Sequence, residues 1–261
     1  MMKPYFKSIK QTFWLWLSSE LSERMLENLP FIKIRPSQIF LRGNFEDKIV
    51  NLLHRIYPQA KLLTDQVKQS SFQFSLENLL PWKKKKIGYL SDKEIQLVTD
   101  IDLLWAGPLN IERSEYPTFF TDAGRLLQTQ GLIMFNYLGP DTAKEYWDLL
   151  SQRGKVGPDM HDTGDILLKS GFADPVMNME YINLEYESCN KLMSDLYGMG
   201  LLSESDLVSE PLKRSFEEIK NKLPKMNLTL EVVYGHAWKA NKKELGVTRV
   251  PVEQILKTYK K

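Results

Sequence analysis

The sequence predicts an α/β protein built on an open, doubly wound sheet of mostly parallel strands. Short apolar runs of strand length alternate with segments of helical periodicity, which is the pattern of successive βαβ units. The chain has 261 residues, enough for one large domain. Hydrophobic residues form 43% of it and charged residues 26%, as is ordinary for a globular protein with its own core.

The N-terminal segment is expected to be an amphipathic helix. Its apolar side chains recur at spacings of three and four between residues 5 and 29, which places them on one helical face. These side chains are Phe6, Ile9, Phe13, Leu17, Leu21, Met25 and Leu29. A secretory signal is disfavoured because the apolar run 13–17 is short and no small-residue cleavage site follows it. No apolar run approaches the roughly 20 residues that span a bilayer, so no stable membrane insertion is expected.

In the first half of the chain, apolar runs predict strands at 39–41, 62–63, 87–90 and 101–105. A helix from about Phe45 to Tyr57 is predicted between the first two strands, and Pro58 ends it. The stretch from Gln66 to Pro81 has no clear assignment. The lysine run 83–86 indicates a solvated loop, and contact with an acidic partner is the alternative.

In the second half, helices are predicted at 116–128, 142–150 and 210–223, and strands at 132–135 and 228–238. Gly131 is expected to end the first of these helices. We divide the predicted single domain into an N-terminal helical region (1–36), the core sheet and helices (37–185), a helical insertion (186–225) and the last strand with a tail (226–261).

Charge and cysteine content exclude several classes of protein. The net charge is +2, from 35 basic and 33 acidic residues, so nothing favours binding to nucleic acid. Cys189 is the one cysteine, which excludes an internal disulfide and a metal site built from cysteines. A reducing cytoplasm suits such a chain, and a cytoplasmic location is expected.

An ordered series of short motifs runs from Asp122 to Trp238. They read AGRLL and GLIMF within 123–135, LGPDT at 138–142, DMHDTGD at 159–165, GFADPVM at 171–177, DLYGMG at 195–200 and EVVYGHAW at 231–238. Together they resemble the malonyl-[acyl-carrier-protein] O-methyltransferases of biotin synthesis, over nearly half the chain. A weaker similarity extends to the mitochondrial complex I assembly factor of the same superfamily. Several motifs in one order are more specific than any single one.

The resemblance implies a Rossmann-like class I methyltransferase fold, with a seven-stranded sheet whose last strand is antiparallel. It also implies S-adenosylmethionine as cofactor. The implied reaction is methyl transfer to the free carboxylate of a malonyl group on acyl carrier protein.

Four residues are expected at the cofactor site through this resemblance: Gly43, Asp65, Asp92 and Ala106. The cofactor needs a glycine turn after the first strand and an acid after the second strand to accept its ribose hydroxyls. Asp65 lies close to that acid, and Asp92, in the LSDKE segment 90–94, matches an adenine contact. The family's D-x-G-x-G-x-G turn is degenerate here, because residues 38–47 read QIFLRGNFED and keep only Gly43. Arg42 and Phe45 add bulk to this turn.

Four residues are expected on the substrate side: Asp141, Arg153, His161 and Asp162. The alternative for the last motif is that Asp162 or Thr163 caps the following helix. A cation should hold the malonyl carboxylate, and the candidates are Arg125, Lys144, Arg153 and Lys155. No metal is expected, because one histidine among acids is not a convergent ligand set. His54 and His236 are expected to be structural.

The sequence leaves two functions open. The first is an active methyltransferase, which needs no acid–base pair because a carboxylate is already ionised near pH 7. Its catalysis would rest on proximity, orientation and desolvation. The second is a non-catalytic descendant that has lost the cofactor and serves as a binding or assembly module. Either protein could still dock acyl carrier protein. The oligomeric state is not predicted.

Overall fold

The computed structural model of the protein describes residues 3–43, 45–65, 87–150, 152, 156–223 and 225–241, with side chains from Phe13 onward. The unassigned stretch from Gln66 to Pro81, the lysine run and the tail from residue 242 lie outside these residues. Arg153 and Lys155, two candidate substrate cations, lie outside them as well.

The described residues form a seven-stranded sheet with the order β3-β2-β1-β4-β5-β7-β6. The strands are β1 Gln38–Arg42, β2 Lys61–Thr64, β3 Ile87–Tyr89, β4 Ile101–Leu109, β5 Leu127–Leu138, β6 Phe172–Tyr186 and β7 Met226–Lys239. Strands β1 to β5 pair in parallel, and β7 runs antiparallel between β5 and β6. The predicted α/β class, with its antiparallel last strand, is confirmed.

Helices lie between the strands, as expected for a doubly wound sheet. They are α1 Lys3–Asn28, α2 Asp47–Ile56, α3 Asp92–Leu97, α4 Tyr116–Leu126, α5 Met160–Lys169, α6 Cys189–Met199, α7 Glu204–Leu207 and α8 Glu210–Lys222. The last three form the predicted helical insertion between β6 and β7. Within the described ranges, no helix is both long enough and apolar enough to span a bilayer.

Both faces of the sheet are covered, because alternate strand residues point to opposite sides. Ile39 and Leu41 of β1 belong to a hydrophobic cluster that includes the buried residues of α1, and we call this side the α1 face. Phe40, between them, belongs to a second cluster that includes Phe119 and Phe120 of α4, and we call that side the α4 face.

Helix α1 is part of the core. Its side chains Phe13, Leu17, Leu21 and Met25 are buried, which confirms the predicted apolar face for the described positions. The helix approaches α6 closely at Gly198, where an added Cβ would lie 2.9 Å from the Cβ of Phe13.

The predicted helix at 142–150 is wrong. Only a 3₁₀ turn, Lys144–Tyr146, forms there. Ala143 takes a left-handed conformation, with φ of 58°, and its N–H donates to the carbonyl of Thr229 at 2.8 Å. The segment therefore satisfies its backbone against β7, and this tertiary contact overrides a local helical pattern.

Two predicted boundaries also differ. Strand β5 begins at Leu127, before Gly131, and its pairing with β4 shifts register between Ile101 and Leu103. A Cβ at Gly131 would lie 2.8 Å from the carbonyl oxygen of Ile101, so this glycine permits close approach of the strands. Helix α5 is capped by Asp159, whose side chain accepts from the His161 N–H, and the predicted cap at Asp162 or Thr163 is wrong.

Candidate functional site

The carboxyl ends of β1, β2 and β4 meet where the strand order reverses. The chain leaves β3 at one edge of the sheet and returns to β4 on the other side of β1. In open α/β sheets, ligands bind in the crevice outside such a switch point. Of the four residues predicted for the cofactor site, Ala106 lies on β4, and the other three lie just beyond the carboxyl ends of β1, β2 and β3.

Gly43 follows β1 and has a φ of 128°, a conformation that favours glycine. A Cβ at this position would lie 3.0 Å from the carbonyl oxygen of Gly107, which belongs to β4. The turn therefore passes close to the backbone of β4, and a side chain at position 43 would not fit. The predicted role of Gly43 is consistent with this geometry.

Phe45 lies beside this turn and packs into the core. Its ring is 6% exposed and belongs to the cluster on the α1 face. The ring atom Cζ lies 3.5 Å from the position that a Cβ of Gly43 would occupy. The bulk that replaces a small residue here is thus part of the core, where it supports the turn.

Asp65 follows β2 and is half-buried beside the turn. Burial raises the pKa of its carboxyl, while the Arg42 charge and the backbone amides of Asp65 and Gly43 act in the opposite direction. The Arg42 Nε lies 3.7 Å from the Asp65 Oδ2. Asp65 is therefore a desolvated acceptor at the position where ribose hydroxyls are expected.

Asp92 is the first residue of α3, after β3. Ser91 caps this helix in a capping box with Glu94, which fixes the start of the helix. The charge of Asp92 contributes to the raised pKa of Asp65, so both carboxylates act on the same region. The two predicted acids thus lie within electrostatic range of each other, and the charge of Asp92 is the smallest of the influences on the pKa of Asp65.

Ala106 is fully buried and pairs with Arg42 on one side and Phe135 on the other. Its small side chain lies on the α4 face. The following residue, Gly107, has a φ of 148°, and an added Cβ there would lie 2.9 Å from the Asn136 Oδ1. The end of β4 thus combines small residues with tight packing.

Two features of this arrangement suit an adenosine cofactor. Gly43 provides a turn that a Cβ would fill, and Asp65 provides carboxylate oxygens for hydroxyl groups. Arg42 does not suit the cofactor, because its side chain already contacts the Asp65 carboxylate. Gly43 and Asp65 therefore fit the cofactor, while the Arg42 guanidinium lies against the carboxylate that would accept the ribose hydroxyls.

The predicted substrate residues are more dispersed. His161 and Asp162 are exposed in the first turn of α5, and the structure gives their side chains no special environment. Asp141 follows β5, where its carboxylate accepts from the Tyr181 hydroxyl at 3.0 Å and its N–H donates to Glu231. Asp141 thus supports the loop and the strands beside it. Arg153 lies outside the described residues.

Glu231 is the buried partner in this loop. It is 4% exposed, and burial raises the pKa of its carboxyl, with the charges of Asp141 and Asp159 adding to that rise. A Cβ at Gly139 would lie 2.5 Å from the Glu231 carboxyl carbon. The glycine and the acid of two separate motifs are therefore packed against each other.

Two of the proposed substrate cations have other contacts. Arg125 donates to the carbonyls of Gln96 and Val98 at the end of α3, at 3.0 and 3.4 Å. It lies just before β5 begins, at the amino edge of the sheet, so its prediction as a carboxylate ligand is not supported. Lys144 lies 3.9 Å from the Asp141 Oδ2 and 4.8 Å from the centre of the Tyr181 ring.

Arg113 is a candidate that the sequence reasoning missed. It lies between β4 and α4, at the carboxyl edge, and its Nη2 donates to the Gly157 carbonyl at 3.0 Å. It lines a cavity of about 400 Å³ together with Pro140, Thr142, Trp147, Val156 and Leu201. Its position just after a strand end is the signal that could have found it.

The three histidines lie on three different elements: His54 on α2, His161 on α5 and His236 on β7. Desolvation lowers the pKa of His236, which favours its neutral form, and His54 is half-buried on α2. Within the described part of the chain, no group of three or more His, Cys, Asp or Glu side chains could hold a metal.

Sequence comparison finds relatives that match nearly the full length of the chain. A malonyl-[acyl-carrier protein] O-methyltransferase from Gallionella capsiferriformans is 32% identical over 85% of this chain and 84% of the relative. The protein of the same name from Legionella pneumophila is 29% identical over 92% and 91%, respectively. That from Nitrosospira multiformis is 30% identical over 85% and 82%. No family model matches the sequence.

Solved structures share the fold. The YcgJ protein of Bacillus subtilis superposes with a TM-score of 0.54 at 9% identity, covering 83% of this chain and 97% of that one. A protein from Bacillus halodurans that is described as a methyltransferase superposes with a TM-score of 0.53 at 10% identity. The match covers 84% of this chain and 98% of that one. These likenesses establish the class I methyltransferase fold.

Proposed function

This chain belongs to the malonyl-[acyl-carrier protein] O-methyltransferase family, and from that membership we propose that it methylates the free carboxylate of a malonyl group on acyl carrier protein, as a step of biotin synthesis. The methyl donor in this proposal is S-adenosylmethionine. The observation that supports it is the position of the Asp65 carboxylate beside the Gly43 turn, at the switch point of the sheet.

Gly43, Asp65 and Asp92 are the residues that would hold the cofactor. The bare turn at Gly43 lets the backbone approach the ligand, and Asp65 accepts the ribose hydroxyls. Asp92 lies on the same side and would contact the adenine amino group, as the resemblance implies. Ala106 is buried in the α4 face at the end of β4, where a longer side chain would have to displace its neighbours.

The cofactor supplies an electrophilic methyl group, and the protein supplies position. A malonyl carboxylate is ionised near pH 7, so one of its oxygens can form the new bond to carbon without a base. Bound S-adenosylmethionine would supply the methyl group together with its own leaving group, so no residue of the chain would have to donate or accept a proton. The protein must therefore align the carboxylate and exclude water.

Arg113 is the residue that we assign to the substrate carboxylate. Its guanidinium is anchored by the Gly157 carbonyl and lines a cavity whose other walls are mainly apolar. A guanidinium holds a carboxylate through paired N–H groups, and apolar walls suit a short acyl chain. Each carboxylate oxygen held in this way keeps a second lone pair, which would remain free to accept the methyl group.

The experiment that tests the proposed function is mass spectrometry of malonyl-acyl carrier protein after incubation with the purified protein and S-adenosylmethionine. We expect the mass of one methyl group to appear on the malonyl thioester, and none on acetyl-acyl carrier protein, which lacks the free carboxylate. Growth of a biotin auxotroph that lacks its own methyltransferase should be restored by the same chain. A malonyl thioester of unchanged mass would contradict the proposal. Nothing in the comparisons favours the non-catalytic alternative.

A further inference from the structure

Arg42 ends β1 with its side chain on the α4 side of the sheet, in the region expected to hold the cofactor. Residues of β1 alternate between the faces, and Arg42 follows Leu41, which points to the α1 face. In the ladder it pairs with Ala106 of β4. A long cation thus extends from the strand end at which the cofactor turn begins.

The guanidinium of Arg42 contacts two groups at once. Its Nε lies 3.7 Å from the Asp65 Oδ2, and its central carbon lies 5.2 Å from the centre of the Phe119 ring. The Arg42 side chain is 34% exposed and that of Asp65 is 27% exposed, so water only partly screens the pair. Phe119 itself is 8% exposed.

We propose that Arg42 is a built-in competitor for the cofactor, which in the free protein covers the acceptor and the aromatic ring that an adenosine moiety would use. The inference rests on the proposed function. The Asp65 carboxylate can accept hydrogen bonds from ribose hydroxyls in place of the Arg42 guanidinium. The Phe119 ring can likewise stack on a base in place of the cation. Binding must therefore displace Arg42, and this residue sets the cofactor affinity.

Charge gives the inference a second, independent consequence. S-adenosylmethionine carries a sulfonium charge that S-adenosylhomocysteine lacks. Arg42 repels a bound cation, so its removal should improve the affinity for the charged ligand more than the affinity for the neutral one. A residue that only holds the fold together would not separate the two ligands.

The test is calorimetric titration of both ligands into the full chain and into Arg42→Leu. In the variant, the cofactor no longer has to break the ion pair between Arg42 and Asp65. We therefore expect roughly a fivefold gain in affinity for S-adenosylhomocysteine and a larger gain for S-adenosylmethionine. Arg214→Leu, which removes an exposed arginine from α8, is the control for loss of a positive charge and should leave both affinities unchanged. Arg42→Gln serves if the leucine variant fails to fold, since it keeps a polar side chain and removes the charge.

Weaker binding by the Arg42 variants would overturn the inference, because Arg42 would then be a cofactor ligand. Unchanged binding of both ligands would overturn it too, and would leave the proposed function intact. If only the Arg42 variants bind the two ligands, the inference stands, and the proposed function of the wild-type protein is contradicted. If neither wild type nor variants bind, both the inference and the proposed function fail.

Discussion

Arg42 and Asp65 face each other across the ends of β1 and β2, with Nε 3.7 Å from Oδ2. Asp65 is the acid that the sequence assigned to the ribose, and the structure places it beside the glycine turn, as that role requires. Its cationic partner comes from the residue just before the turn. Arg42, which departs from the family pattern, therefore contacts Asp65, the residue that fits the pattern best.

Gly43 should not tolerate a side chain. Gly43→Ala puts a Cβ 3.0 Å from the Gly107 carbonyl oxygen in a conformation that L residues rarely adopt, and should cost roughly 1–3 kcal/mol in the free energy of unfolding. Urea denaturation measures this cost. Gly164→Ala on α5 is the matched control, because its nearest neighbour, the Met177 Cγ, is 4.0 Å away. That variant should be neutral or stabilised by up to about 1 kcal/mol, and an equal loss in both variants would contradict the argument from the turn.

Arg113 should affect the substrate and not the cofactor. Arg113→Ala removes the guanidinium from the cavity beside Gly157, so KM for malonyl-acyl carrier protein should rise by roughly tenfold to a hundredfold. Arg113→Lys should recover only part of this loss, since an ammonium lacks the paired geometry of a guanidinium. The dissociation constant for S-adenosylhomocysteine should not change.

Arg125→Ala is the control for that series. Its guanidinium binds backbone carbonyls at the end of α3, at the other edge of the sheet, so the variant should lose stability without a specific rise in KM. If the KM rises for Arg125→Ala and stays the same for Arg113→Ala, the assignment of the substrate cation is wrong.

Glu231 should make the protein less stable as the pH rises. Burial raises its folded-state pKa above the ordinary value of 4.5, so the folded protein keeps the proton that the unfolded chain releases. The contribution of this group is complete below the ordinary value and is lost as the pH rises through the folded-state pKa. Glu231→Gln removes this loss while its side-chain oxygen can still accept the Asp141 N–H.

The measurement is the free energy of unfolding against pH for both proteins. The advantage of Glu231→Gln should grow as the pH rises from 4.5 and then level off, by about 1.4 kcal/mol for each unit of pKa displacement. Glu94→Gln is a control of opposite sign, because hydrogen bonds from Ser91 lower the pKa of Glu94. A difference between Glu231→Gln and wild type that stays constant with pH would contradict the buried-carboxylate argument.

Local patterns predicted most of the strands and helices. The alternation of apolar runs with helical segments predicted the parallel sheet, because the helices that connect parallel strands cover both faces of the sheet. The helix at 142–150 could not be excluded from sequence, since the contact between Ala143 and Thr229 joins residues far apart in the chain. The cap of α5 was misplaced because several acids within 159–165 suit that role, and only the backbone conformation selects Asp159.

The site was predicted unevenly for a related reason. Gly43, Asp65 and Asp92 follow strand ends, and the topology of an α/β sheet brings such positions together. Arg113 also follows a strand end, but its loop carries no recognisable motif, and the folded cavity is what distinguishes it from other arginines that follow strands. The pairing of Arg42 with Asp65 depends on the order of neighbouring strands, which the local sequence does not encode.

The most direct test of the account is calorimetric titration of S-adenosylhomocysteine into the wild-type protein and into Asp65→Asn. We predict saturable binding by the wild type and at least roughly tenfold weaker binding by the variant, because the amide replaces a charged acceptor with a neutral one. The variant should melt at a temperature close to that of the wild type, since burial already disfavours the charge of this carboxylate. Absence of binding by the wild type, or equal binding by the two proteins, would contradict the cofactor site described at the switch point.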